Sequence, residues 1–199
     1  MKFMLICVLL LLIDYIVSRC GLDILKSKRI LVNSIGEKQD RYLSKQTFEP
    51  LRIELDYSLI ENNLEKINKD DFIYLKEKIM PKTKKVFEEL LKVQRIEGKL
   101  RFNAKKCDDF YIPEKYLADG EGVDADLVIF ISIDDTGFFK ENGIEAAAIH
   151  CLQHSVTKRP VAGFITFKPD LNAIDEVSVN YQVWLAIHEI SHVLAINDS

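Results

Sequence analysis

The sequence predicts an α/β fold, a twisted mixed sheet lying over one long helix. Three observations predict it. Residues 51–56 alternate apolar and polar side chains, the period of a half-buried strand. Residues 125–133 form a run rich in branched side chains, suited to a central strand buried on both faces. Residues 179–194 contain no Gly or Pro, and Val179, Val183, Ile187, Ile190 and Leu194 recur at helical spacing as one apolar stripe.

The bulk numbers fit one domain with an added leader. The chain has 199 residues, a net charge of −4 and 48% hydrophobic residues, enough for one good core. The mildly acidic balance leaves no electrostatic footprint for a nucleic-acid partner. Lys and Glu crowd residues 66–106, but their signs are mixed, which describes a solvated helix face.

Residues 1–20 read as a signal peptide. Lys2 gives a positive start, residues 3–17 are apolar apart from Asp14, and Ser18 and Cys20 are small residues at an acceptable cleavage pattern. The apolar run is shorter than the ~20 residues of a comfortable membrane span. A retained signal anchor is the alternative, and only then is direct membrane contact expected from this segment. The leader therefore predicts a secreted or cell-surface protein. Secretion sets the reading of the cysteines. Cys7 leaves with the leader and Cys20 lies at its edge. Cys107 and Cys151 remain, and an oxidising compartment favours a disulfide over two buried thiols.

Residues 21–47 are polar and without a clear period, a pro-segment or an extended lead-in. The folded domain is expected over residues 48–199. After the strand at 51–56, Phe72, Leu75, Ile79, Val86, Leu90 and Val93 mark a helix over residues 71–93. Pro81 either kinks that helix or opens a fresh one from its first position. Residues 99–103 suggest a short strand, and residues 107–122 a loop punctuated by Pro113, Gly120 and Gly122. Behind the central strand come a turn-rich loop over 134–142 and an Ala-rich stretch over 144–152. Phe164, Ile165, Thr166 and Phe167 suggest another strand, ended by Pro169. The order strand, helix, strand, strand, strand, helix puts the last helix under the sheet.

That last helix carries His188-Glu189-x-x-His192. Residues four apart on a helix point the same way, so the two imidazoles can share one tetrahedral Zn²⁺. Glu189 stands beside them as a general base, the pattern of a zinc peptidase. Tyr181, Leu185, His188 and His192 fall opposite the apolar stripe, so the histidines are expected to face a cleft. Asp175 and Glu176 suit the positive end of the helix dipole, and Ser178 is a candidate N-cap. His150 and His154 are also four apart, but they have no carboxylate between them and a helix-breaking sequence follows. They read as a solvent-facing pair.

With these residues in view, the chain resembles the leishmanolysin-like (invadolysin) family of metzincin zinc peptidases. Residues 50–58 resemble the family's first core strand and residues 125–130 its central strand. Residues 146–151, then Arg159-Pro160-Val161-Ala162-Gly163, resemble its Ala/Cys segment and its edge strand. The resemblance covers roughly residues 48–196 and implies a metzincin-like upper catalytic subdomain. It also implies Zn²⁺ as cofactor, a Cys107–Cys151 pair, and a secreted or surface endopeptidase acting on proteins and peptides. By the same resemblance, Gly163, Phe164, Ile165, Thr166 and Phe167 form the edge on which a substrate peptide lies antiparallel. Cys20 is a candidate pro-segment zinc ligand, although the histidines that usually accompany that cysteine are missing.

The sequence departs from the family after the motif. Ala195 stands where a Gly would turn the chain, no histidine follows His192, and the sequence ends at Ser199. Two protein ligands make a poor catalytic zinc site. The expectation is therefore a fragment of a secreted zinc metalloendopeptidase. The alternative is a catalytically inactive secreted binding protein or relic on the same scaffold.

Overall fold

Among the described residues the strands are β1 (Ile30–Val32), β2 (Phe48–Pro50), β3 (Ile53–Asp56), β4 (Lys92–Gln94), β5 (Lys106–Cys107), β6 (Phe110–Tyr111), β7 (Leu127–Ile133), β8 (Ala146–His154) and β9 (Pro160–Phe167). β1, β8, β9, β7 and β3 form one mixed sheet in that order. β8 and β9 run antiparallel, and the other neighbours are parallel. The computed structural model describes residues 30–32, 47–62, 64–66, 68–107, 110–134, 136–168, 171 and 175–194. The leader at 1–20, most of the 21–47 segment, Cys20 and Ala195 lie outside the described residues. No helix among those described is long and apolar enough to cross a membrane.

β7 shows why the sheet has two apolar layers. Side chains alternate along a strand, and both faces of this one are covered. Leu127, Ile129, Ile131 and Ile133 point into the larger core, with Leu51, Leu75, Phe87 and the final helix. Val128 and Phe130 point into the second core, with Phe102, Tyr116 and Leu152. Cys107 and Cys151 form a disulfide at that second core, tying β5 to β8 with Cα atoms 5.3 Å apart.

The helices follow the sequence with local corrections. α1 (Ser58–Glu61) is a single turn after β3. The stretch predicted as one helix over 71–93 is α2 (Lys69–Tyr74), a wide π turn over Leu75–Ile79, and α3 (Met80–Leu90). Pro81 follows the π turn directly, where the Met80 N–H reaches back five residues to the Leu75 carbonyl, and the run stays helical through the proline. The helix stops at Leu90 because Lys92–Gln94 pairs with β2. α4 (Phe138–Asn142) is short, and α5 (Glu176–Val193) is the long final helix. The strand expected at 99–103 is two isolated bridges, Leu100 to Val123 and Phe102 to Leu117. The Ala-rich stretch is β8, paired along its length with β9.

Asp126 fastens the entry of β7 to the chain before β3. Its buried carboxylate accepts from Arg52 Nε at 2.9 Å and Nη2 at 3.0 Å, and from the backbone N–H of Arg52 at 3.1 Å and Ile96 at 3.0 Å. Asp56 does similar work at the far end of β3, accepting from Tyr116 Oη and Lys115 Nζ, each at 2.8 Å, and from Ser58. Burial alone would raise the Asp126 carboxyl. The Arg52 side chain and the two backbone donors outweigh it, so its pKa lies below the ordinary 3.8. Asp56 is lowered in the same way, burial opposed by Lys115, Ser58 and Tyr116.

A carboxyl whose pKa is lowered on folding adds stability above its unfolded pKa and loses it as pH falls through the folded value. Asp126→Ala leaves Arg52 and two backbone donors without their acceptor, a loss of about 3 kcal/mol near neutral pH. Urea titrations of parent and variant should show that gap at pH 7, narrowing as the pH is taken below 3.8. A gap that widens in acid contradicts the assignment.

Candidate metal centre

α5 begins at a capping box. The Asp175 carboxylate accepts from the Ser178 N–H at 2.7 Å, and Ser178 Oγ accepts from the Asp175 N–H at 3.0 Å. Asp175 is therefore the N-cap, and Ser178, expected in that role, is its partner inside the first turn. Both residues satisfy donors that a helix start leaves open. Gln182 Nε2 donates to the Leu171 carbonyl at 2.9 Å and holds the incoming chain against the helix.

The helix is buried more widely than one stripe. The sheet covers one side through β8 and β9, and α3 packs beside it. Val179, Val183 and Ile190 are buried as expected, and Gln182, Leu185, Ala186, Glu189 and Val193 are buried with them. Leu185 was expected beside the histidines, yet it is 1% exposed in the larger core. The open face carries Val177, Tyr181 and Trp184, with Trp184 61% exposed.

His188 and His192 lie half-buried at the boundary between these faces. Their Nε2 atoms are 3.0 Å apart and the rings meet edge to face. Two nitrogens on one tetrahedral zinc are separated by about 3.3 Å, given Zn–N bonds near 2.05 Å. The pair thus fits two corners of such a site to within a few tenths of an ångström. Glu189 follows His188 and is fully buried, 0% exposed. Ser191 Oγ donates back to the Ile187 carbonyl at 2.8 Å within the same turn. Among the described residues no cluster of three His, Cys, Asp or Glu side chains has the geometry to hold a metal.

Two expectations are corrected around the site. Gly163, Phe164, Ile165, Thr166 and Phe167 do not form a sheet edge, because β9 lies between β8 and β7 and pairs with both. Its backbone is committed to its neighbours and has no free edge for a peptide. His150 and His154 are not solvent-facing. Both lie buried on β8, and His154 Nδ1 accepts from the Thr157 N–H at 3.1 Å.

Gly163 matters for a different reason. A Cβ at this position would lie 2.8 Å from Val193 Cγ2 and nearer still to Cγ1. Val193 directly follows His192, so the missing side chain lets the histidine end of α5 sit down on β9. A Gly inside a strand signals such a close approach, and that signal was present in the sequence.

A family model described as leishmanolysin matches residues 65–199. The chain belongs to the leishmanolysin family. The family is one of metallopeptidases, typically zinc-dependent. The chain is also 22% identical over 194 residues to a leishmanolysin-like peptidase of Drosophila melanogaster, covering 76% of this chain and 28% of that protein. It is 25% identical over 219 aligned positions to a ciliated left-right organizer metallopeptidase of Xenopus laevis, covering 87% of this chain and 30% of the relative. The chain thus spans less than a third of the length of either curated relative.

Gly163→Ala should destabilise the fold by about 1–3 kcal/mol through overpacking. That is a fall in Tm of very roughly 2–10 °C for a chain of this size. Pairing it with Val193→Ala should recover part of the loss, since the added methyl then has room. Thermal melts of the three variants check this. A Gly163→Ala protein as stable as the parent removes the constraint.

Proposed function

We propose that the protein is a secreted zinc metalloendopeptidase acting on protein and peptide substrates, with His188 and His192 as two zinc ligands and Glu189 as the general base. The observation that carries this reading is the convergence of the two Nε2 atoms at 3.0 Å on a helix whose intervening turn holds Glu189. Family membership supports the reaction class. The apolar leader at 1–20 and the Cys107–Cys151 bond support export to an oxidising compartment. The small share of each relative that the chain spans supports reading it as one part of a longer peptidase.

In this reading α5 is the rigid element that positions the chemistry, held at its start by the capping box and at its end by the seat on Gly163. Zinc, when bound, supplies the Lewis acid that polarises the scissile carbonyl and acidifies a water. Glu189 takes the proton of the attacking water and passes it to the leaving amine. Its full burial keeps bulk water from the carboxylate. A third protein ligand, which catalytic zinc ordinarily takes, comes from outside the described residues.

The test is Glu189→Gln, assayed with a quenched fluorescent peptide library in the presence of zinc. Turnover should fall about 10²–10⁴-fold, the usual worth of a general base. Bound zinc should be retained, since Glu189 is not a ligand. Near-normal turnover by the variant overturns the assignment. A parent chain that binds peptides without cleaving them favours a non-catalytic binding protein on the same scaffold.

A further inference from the structure

The face of the sheet that lies against α5 is almost wholly apolar, and His150 interrupts it. β8 and β9 run antiparallel, so residues paired across them carry their side chains on the same face. His150 is paired with Gly163. A Cβ on Gly163 would meet Val193 of α5, so the face they share is the one against the helix. His150 therefore points toward α5, and it is 7% exposed. The side chains around it on that face are apolar: Ala146 and Ala148 of β8, Ile165 and Phe167 of β9, and Ile129 and Ile131 of β7.

The helix carries a matching group. Gln182, Ala186, Glu189 and Val193 follow one another at helical spacing and form one line along α5. All four are buried. Val193 sits on Gly163, so the same side of the helix carries Glu189, one turn earlier. Two short steps separate Glu189 from His150. The step across the ladder from His150 to Gly163 is about 5 Å, and the step along the helix from Val193 to Glu189 is about 5–6 Å. A carboxylate taken out of water needs donors. Neither Glu189 nor His150 is without a partner.

We propose that His150 is the positioning residue of Glu189, its imidazole N–H donating to the buried carboxylate across the sheet–helix interface. Burial alone does not choose among the rotamers of a glutamate, whereas a donor fixed on a strand does. The donor is well fixed. β9 pairs with β8 at His150 itself, and the neighbouring Cys151 is bonded to Cys107. One carboxylate oxygen is enough for this bond, and the other stays available. That the oriented carboxylate acts as a general base rests on the peptidase reading. The pairing of the two side chains does not.

The test uses the full chain in a double-mutant cycle, read by urea unfolding at pH 7, with His150→Leu, Glu189→Leu and both together. In a paired arrangement each single change leaves a buried polar group without its partner, and the second change removes that group as well. Each single variant should raise the unfolding equilibrium constant at least tenfold. The double variant should fall at least tenfold short of the product of the two effects, and a smaller shortfall overturns the pairing. If a leucine variant fails to fold, the imidazole N–H resonance of His150 is compared between the parent and Glu189→Gln. It should move when the acceptor changes, and an unmoved resonance overturns the pairing. The positioning role is read from turnover of the zinc-loaded chain. His150→Leu should lower kcat at least tenfold with KM and bound zinc unchanged. At least one of His150→Asn and His150→Gln, which keep a donor near one ring nitrogen each, should recover most of that loss. Equal losses in all three variants, or none in His150→Leu, overturn the role. The cycle uses neither zinc nor turnover, so an inactive chain counts against the peptidase reading while the cycle still decides the pairing. An active chain whose two sites unfold independently removes this inference alone.

Discussion

α5 reaches the sheet at its histidine end because Gly163 leaves room for Val193. The contact admits no intermediate solution. Val193 is β-branched and stiff, and all three of its side-chain carbons lie within 3.0 Å of where a Cβ on residue 163 would stand. Moving the helix away would open a gap beneath β8 and β9 and lift the 188–192 turn from its support. The spacing of the two Nε2 atoms is a property of the helix alone. Where that pair stands relative to the sheet is a property of this close approach.

The two ends of the helix are held by different physics. At the start, the capping box of Asp175 and Ser178 closes open backbone donors, and Gln182 ties the incoming chain down through the Leu171 carbonyl. At the end, apolar packing does the holding, with Ile190 and Val193 in the larger core. The sheet above is locked by buried carboxylates. Asp126 joins the lead-in of β3 to that of β7, and Asp56 joins the end of β3 to the turn at Tyr116. On the opposite face the Cys107–Cys151 bond fastens β8 to the loop region.

The features legible in the sequence were those with a strong period. β7 was legible because burial on both faces leaves a continuous apolar run, and α5 because no Gly or Pro interrupts a 3.6-residue stripe. β8 was harder. Ala146, Ala147 and Ala148 favour helix by intrinsic preference, and His150 and His154 sit at helical spacing, but pairing with β9 overrides both. The position of β9 inside the sheet was not legible at all. An alternating pattern says which face of a strand is buried and nothing about its lateral neighbours. Leu185 was misplaced for a related reason: the sheet and α3 cover the helix from two sides, so the buried stripe is wider than a one-sided pattern allows. The short β1 carries too few residues to show any period.

The central claim is that His188 and His192 act together on one metal ion, and titration of the purified chain with Zn²⁺ tests it most directly. The account predicts one zinc per chain, with binding weakened at least tenfold by His188→Ala and equally by His192→Ala. His150→Ala should leave it unchanged. Zinc binding that survives loss of either motif histidine would contradict the account, as would a chain that takes up no zinc at all.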